Sequence, residues 1–261
     1  GIEILKAVRD ALPPSATTTV SLRKGFDDGP ESENKFFELI EAAWAAGYAA
    51  VRVHGRTVEQ KYLGRADWYF LRKVKQRYPD RTILGSGDVF TAEDAVRLLR
   101  ETGVDIAWIA RGAIGNPWVF GHAAALLAQG SVGGSECRGD GVGENPPHSV
   151  TPLPRHLDTP LHPPTIHAQR EALAEHFAGA MQIHGESLAG RRMRKMGIKY
   201  SRFHPRAEDV KRRFIAVQSL RDWQAVLADH YAADGPGVWP AAAAADEVNA
   251  DPAMQGCGEA A

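Results

Sequence analysis

The sequence predicts an α/β protein built from successive strand–helix units and followed by a separate helical segment. Over residues 1–129, short apolar runs alternate with amphipathic stretches that close on Gly or Pro, the signature of a parallel sheet flanked by helices. Over residues 166–231, Ala, Leu and Met interleave with Arg and Lys, which predicts two to four helices. Between them, residues 130–165 are rich in Gly and Pro and poor in aliphatics, so they are expected to form a disordered insertion. The Ala-rich end from residue 232 is expected to be a frayed tail.

The strands are expected at 18–22, 49–53, 82–84 and 106–110, each short and rich in Val, Ile, Ala or Thr. After the first, Phe36, Leu39, Ile40, Ala43 and Trp44 share one helical face and Gly47 supplies the stop. Leu71, Val74 and Tyr78 continue the pattern in a helix that Pro79 ends. Thr91 and Asp94 form a capping-box pair, with Asp in place of Glu, opening a helix that stops before Gly103. Asn116 and Pro117 read as an N-cap and first helical residue of a helix running toward Leu127.

Composition narrows the class of function. The chain has 44% hydrophobic and 24% charged residues and no apolar run of about 18 residues, so a soluble fold without a membrane span is expected. Cys137 and Cys257 lie far apart in Gly-rich surroundings, giving neither a disulfide framework nor a metal site, and the compartment reads as reducing. The net charge of −1 conceals a basic stretch at 191–213, where ten Lys or Arg face only Glu208 and Asp209. Such a stretch suits an anionic partner or a solvated helix face.

Arg23, His54, Asp88 and Arg111 fall just beyond the expected strand ends, at spacings that fit consecutive βα units. Sites of parallel α/β folds gather at that carboxyl edge. Gly85-Ser86-Gly87-Asp88 lets the backbone approach an anion, and Arg111-Gly112 on the next strand offers a planar cation to the same group. His54 is a hydrogen-bonding candidate there, or a packed strand-end histidine.

The runs VHGRTVEQKYLGRADW from residue 53, ILGSGDVFTAEDA from 83 and IARGAIGNPWVF from 109 closely resemble the tRNA-dihydrouridine synthase family in order and spacing. The resemblance covers residues 17–120, with a weaker echo at 191–214. It implies the last four βα units of a (β/α)8 TIM barrel and a small all-α C-terminal domain. It further implies FMN held by His54, Ser86, Gly87, Asp88, Ala110 and Arg111, recharged by NADPH, reducing the C5–C6 bond of a tRNA uridine in the cytoplasm. The family's helical domain binds tRNA and carries a similar Arg-Lys pair before a tyrosine, so Arg192, Arg194, Lys195 and Tyr200, with Arg23, are expected to contact tRNA, Tyr200 or Phe203 being the candidate rings to stack on a base.

The chain departs from the family pattern at several positions. Ser21 stands where a flavin-contacting lysine is expected, Ser86 where asparagine is, Ala110 where glycine is, and Met196 where histidine is common. The motifs put the chain's start at the helix before the fifth barrel strand, and neither Cys137 nor Cys257 stands where the cysteine acid belongs. No catalytic residue is therefore assigned, and the chain alone is expected to be inactive and to pair with a complementary half-barrel or itself. A non-catalytic tRNA-binding remnant, or another FMN- or phosphate-binding barrel enzyme, remain the alternative readings.

Overall fold

The computed structural model describes residues 1–132 and 161–240. They fall into two compact units, 1–112 and a second comprising 113–132 with 161–240. Residues 133–160 of the expected insertion lie outside the described residues, as do the tail from 241, Cys137 and Cys257, whereas 130–132 end a helix and Thr165 caps the next one.

The first unit is a parallel four-stranded sheet in sequence order, with β1 at Thr19–Arg23, β2 at Ala50–His54, β3 at Thr82–Ser86 and β4 at Ile106–Trp108. This is an α/β arrangement consistent with part of a (β/α)8 barrel. All four strands were legible, but β1, β2 and β3 run one or two residues further than expected and β4 ends two residues earlier. Arg23, His54 and Ser86 are thus the last strand residues, in register across the sheet. Helices α1 (Ile2–Asp10), α2 (Pro30–Ala45), α3 (Trp68–Arg77) and α4 (Ala92–Thr102) belong to this unit.

One sheet face is a dry core: Val51, Val53 and Ile83 are fully buried, as are Ile40, Leu71 and Leu98 on the helices. Aromatic edges knit it, Phe36 meeting Phe70 with centroids 5.0 Å apart. Because side chains alternate along a strand, the opposite face carries Ser21, Arg23, Arg52, His54, Ser86 and Trp108. Among the described residues that face is open, with Trp108 42% and Ile106 46% exposed. The local stops behave as their chemistry dictates. Gly47 and Gly103 take positive φ, and Thr91 and Asp94 close a reciprocal capping box on α4.

The described part of the second unit contains α5 (Val119–Val132), α6 (Ile166–His184), α7 (Glu186–Tyr200), α8 (Ala207–Ile215) and α9 (Leu220–His230). Leu173, Phe177, Met193, Tyr200, Phe214 and Trp223 form its core. Two expectations fail here. Asn116 does not cap α5: it is buried in a turn after Gly115, its N–H donates to Ala113, and the helix starts only at Val119. Residues 232–240 are docked rather than frayed. Ile166 donates to the Gly235 carbonyl, Val238 donates to that of Phe203, and the Trp239 ring stacks 4.1 Å from His122.

Candidate functional site: a cationic pocket at the carboxyl edge

The two loops singled out by the sequence meet. A Cβ placed on Gly112 would sit 2.7 Å from the carbonyl oxygens of both Val89 and Phe90, so glycine there lets the turn after β4 lie directly against the loop after β3. Gly87 has φ 124° and its carbonyl is held by the Trp68 indole N–H at 2.8 Å. The backbone N–H groups of Gly87, Asp88 and Val89 donate to no protein acceptor among the described residues. A run of such donors in a turn is an anion cradle. Gly85 has a different role: a Cβ there would strike Val104 and Leu98 at under 3 Å, so it admits α4 against the sheet rather than a ligand.

Asp88 does not present its carboxylate to a ligand anion. Arg56, with no exposed side-chain surface, donates through Nη2 to both Asp88 oxygens at 2.7 and 2.9 Å, and Ala66 N–H donates to Oδ2 at 2.6 Å. These bonds hold a non-glycine residue at φ 54° and fix the loop's shape. The expected phosphate-loop aspartate is therefore a staple behind the cradle, because like charges repel.

Arg111 opens the short 3-10 turn Arg111–Ala113. Its guanidinium lies over the rings of Tyr62 and Phe90, 4.9 and 5.0 Å from their centroids. It stands 3.8 Å from Asp88 Oδ1, beyond hydrogen-bond length. The cation thus lies against two aromatic rings beside the free backbone donors.

His54 closes the other side. Its Nδ1 accepts the Arg56 backbone N–H at 3.2 Å, which puts the proton of the neutral ring on Nε2. Burial, with the positive charges of Arg23, Arg56 and Arg52, pushes its pKa from 6.5 down to about 4. Near neutral pH the ring is an uncharged donor and not a general acid.

These residues line one pocket of about 400 Å³ with Ser21, Arg23, Arg52, Ser86, Trp108 and Ala110, within the range of small-ligand sites. Arg23 uses Nη1 to bind the carbonyls of Thr57 and Lys61, at 2.7 and 3.2 Å. The pocket combines an anion cradle, stacked cations and a partly exposed indole, and so suits an anionic ligand.

The basic residues expected to meet RNA divide in the second unit. Arg191, Arg192 and Arg194 on α7 are exposed and Lys195 is half-exposed. Tyr200 lines a pocket with Arg192, Met193 and Met196 but lies at its floor. It is 5% exposed, packed edge-on against Trp118 at 5.7 Å, and burial raises its hydroxyl pKa. Phe203 is fully buried. Neither ring is available to stack on a base, because α7 turns Met193, Gly197 and Tyr200 together into the core.

The sequence model of the family Dihydrouridine synthase (Dus) matches residues 2–135. The chain belongs to the dihydrouridine synthase family. It is 28% identical to tRNA-dihydrouridine synthase B of Xanthomonas axonopodis pv. citri over 91% of this chain and 61% of that protein. A probable tRNA-dihydrouridine synthase of Mycobacterium leprae is 36% identical over 48% of this chain and 32% of the relative. A tRNA-dihydrouridine(47) synthase [NAD(P)(+)] of Coprinopsis cinerea is 34% identical over 39% of this chain and 16% of the relative. The chain therefore spans between about a sixth and three-fifths of the length of these relatives.

For this dihydrouridine synthase family member the pocket holds more than the motifs named. Arg52, Tyr62, Phe90 and Trp108 were missed as site residues. The signal for Arg52 was period two: it precedes His54 by two and shares its face. Trp108 carries the same signal, two residues before Ala110, whereas Tyr62 and Phe90 do not, because loop folding brings them in. At Ser21, where the resemblance implies a lysine, the hydroxyl accepts from Arg52 Nε at 2.9 Å.

Proposed function

We propose that the first unit carries part of an FMN site of a tRNA-dihydrouridine synthase, as a portion of a (β/α)8 barrel, and that the helical unit is its tRNA-binding domain. When bound, FMN would supply hydride, drawn from NADPH, to C6 of a uridine, whose C5 would take up a proton from an acid to which no residue of this chain is assigned. The N–H groups of Gly87 and Asp88, with Arg111, hold the cofactor phosphate; Ser86 and Ala110 line the approach. His54 donates from Nε2 to the ring or to the target base while staying neutral. The open sheet face, with Trp108 and Ile106 on it, is the face that further barrel strands cover.

The single observation that carries this reading is the contact of Gly112 with the Val89–Phe90 backbone, which sets Arg111 beside free backbone donors in a pocket of surplus positive charge. FMN titration of the full chain, followed by flavin fluorescence, tests it. Saturable binding is expected, weakened about tenfold to a hundredfold by Arg111→Ala, as for loss of a hydrogen bond to a charged group. No binding, or equal binding by the variant, overturns it. For tRNA, Arg192, Arg194 and Lys195 neutralise backbone phosphates, with Arg191 beside them, while Arg23 reaches substrate at the pocket rim. Converting Arg192, Arg194 and Lys195 together to Ala lowers tRNA affinity and its salt slope. Retention of tRNA by a chain that takes no flavin favours the non-catalytic reading.

A further inference from the structure

We propose that Arg52 is the donor that holds negative charge on the flavin ring, supplied from the second strand of the sheet, and that it thereby sets the electron affinity of the bound cofactor. This rests on the FMN reading above.

Arg52 is placed by three independent constraints. Register puts it beside Ser21 on the neighbouring strand, its Nε donates to the Ser21 hydroxyl at 2.9 Å, and its guanidinium lies 4.7 Å from the Trp108 ring centroid. It makes no salt bridge to a carboxylate among the described residues, and its two Nη groups donate to no protein acceptor there. A half-buried guanidinium would ordinarily acquire a carboxylate partner. Here it faces a pocket whose one acidic group, Asp88, is already bound by Arg56.

The other cations of the pocket are engaged elsewhere. Arg23 Nη1 is tied to two loop carbonyls. Arg111 stands at the phosphate end, between Tyr62 and Phe90. Arg52 shares the open sheet face with Arg23 but lies two residues before His54 and is the one of the two that stands against the exposed indole. A ring that accepts hydride from a reduced nicotinamide gains one hydrogen and one unit of negative charge, while the nicotinamide becomes cationic. A fixed guanidinium aimed at that charge stabilises it without reorganising.

The test uses the full chain loaded with FMN and reads two quantities besides turnover: the two-electron midpoint potential of the bound flavin, and its affinity for sulfite, which adds to the ring and leaves it anionic. Arg52→Met is expected to weaken sulfite binding at least tenfold and to lower the potential by about 30 mV or more, the value of a tenfold change for a two-electron couple. Arg52→Lys is expected to retain most of both. Unchanged potential and sulfite affinity in Arg52→Met overturn the proposal while leaving the FMN reading intact; absence of FMN from the wild-type chain overturns that reading first. Should Arg52→Met lose flavin, the double variant Ser21→Lys, Arg52→Met restores a cation on the adjacent strand. Recovery of flavin and potential supports the proposal, and failure to recover overturns it.

Discussion

Replacing Asp88 with Asn isolates the charge of the staple behind the anion cradle. Asn keeps an oxygen for the Ala66 N–H and tolerates the positive φ of this position, so the change removes the negative charge and turns one of the two oxygens that accept from Arg56 into an amide donor. Arg56 is fully buried and the Asp88 side chain is 11% exposed. Two unit charges about 4 Å apart at an effective dielectric of about 20 attract by about 4 kcal/mol. Removing one partner of a buried pair costs about 3–5 kcal/mol, because the survivor is left uncompensated. Asp88→Asn should therefore lower the stability of the first unit by about that amount, two to three and a half orders of magnitude in its folding equilibrium constant. Urea titration of the full chain, with hydrogen exchange read at the β2 and β3 amides, measures this unit separately from the helical one. Arg56→Met and the double variant complete a cycle whose coupling is expected to exceed about 1 kcal/mol. A loss below about 1 kcal/mol in Asp88→Asn, with coupling near zero, would show that the pair does not hold the loop.

Three further outcomes are expected. His54 is depressed from 6.5 to about 4, so the unfolded chain binds its proton first and the stability from the neutral ring is complete above pH 6.5. It is lost as pH falls toward 4, to the order of 3 kcal/mol. An imidazole resonance titrating near 6.5 in the folded protein contradicts this. Gly112→Ala forces two carbonyls apart and should weaken FMN binding more than it destabilises the sheet; equal affinity would mean that the two loops need not touch. Gly197→Ala would press a methyl to 2.3 Å from the Phe214 ring, and overpacking of this kind costs about 1–3 kcal/mol in the helical unit. A thermal or urea transition of that unit left unmoved would show that α7 and α8 separate at no cost.

What the sequence by itself determined were the features whose physics is local. Strand positions follow from short β-rich runs, the stops at Gly47 and Gly103 from backbone freedom, and the opening of α4 from the Thr91–Asp94 pair. Each is decided within a few residues. The motif order was enough to identify the family, and the period-two rule put Arg52 on the face of His54, although its meaning there was not legible. Tertiary structure decided which side of each loop faces the ligand. Asp88 turns to Arg56, 32 residues away, because a buried guanidinium needs a counterion. Gly85 and Gly112 both interrupt strand ends, yet one admits a helix and the other a neighbouring loop. Tyr200 sits in a basic run that suggests an RNA surface, but helical phase on α7 turns it into the core. Asn116 forgoes its capping role because the turn at Gly115 packs against Lys199. Contacts between residues far apart in the chain have no local signal, and the pocket is made of them.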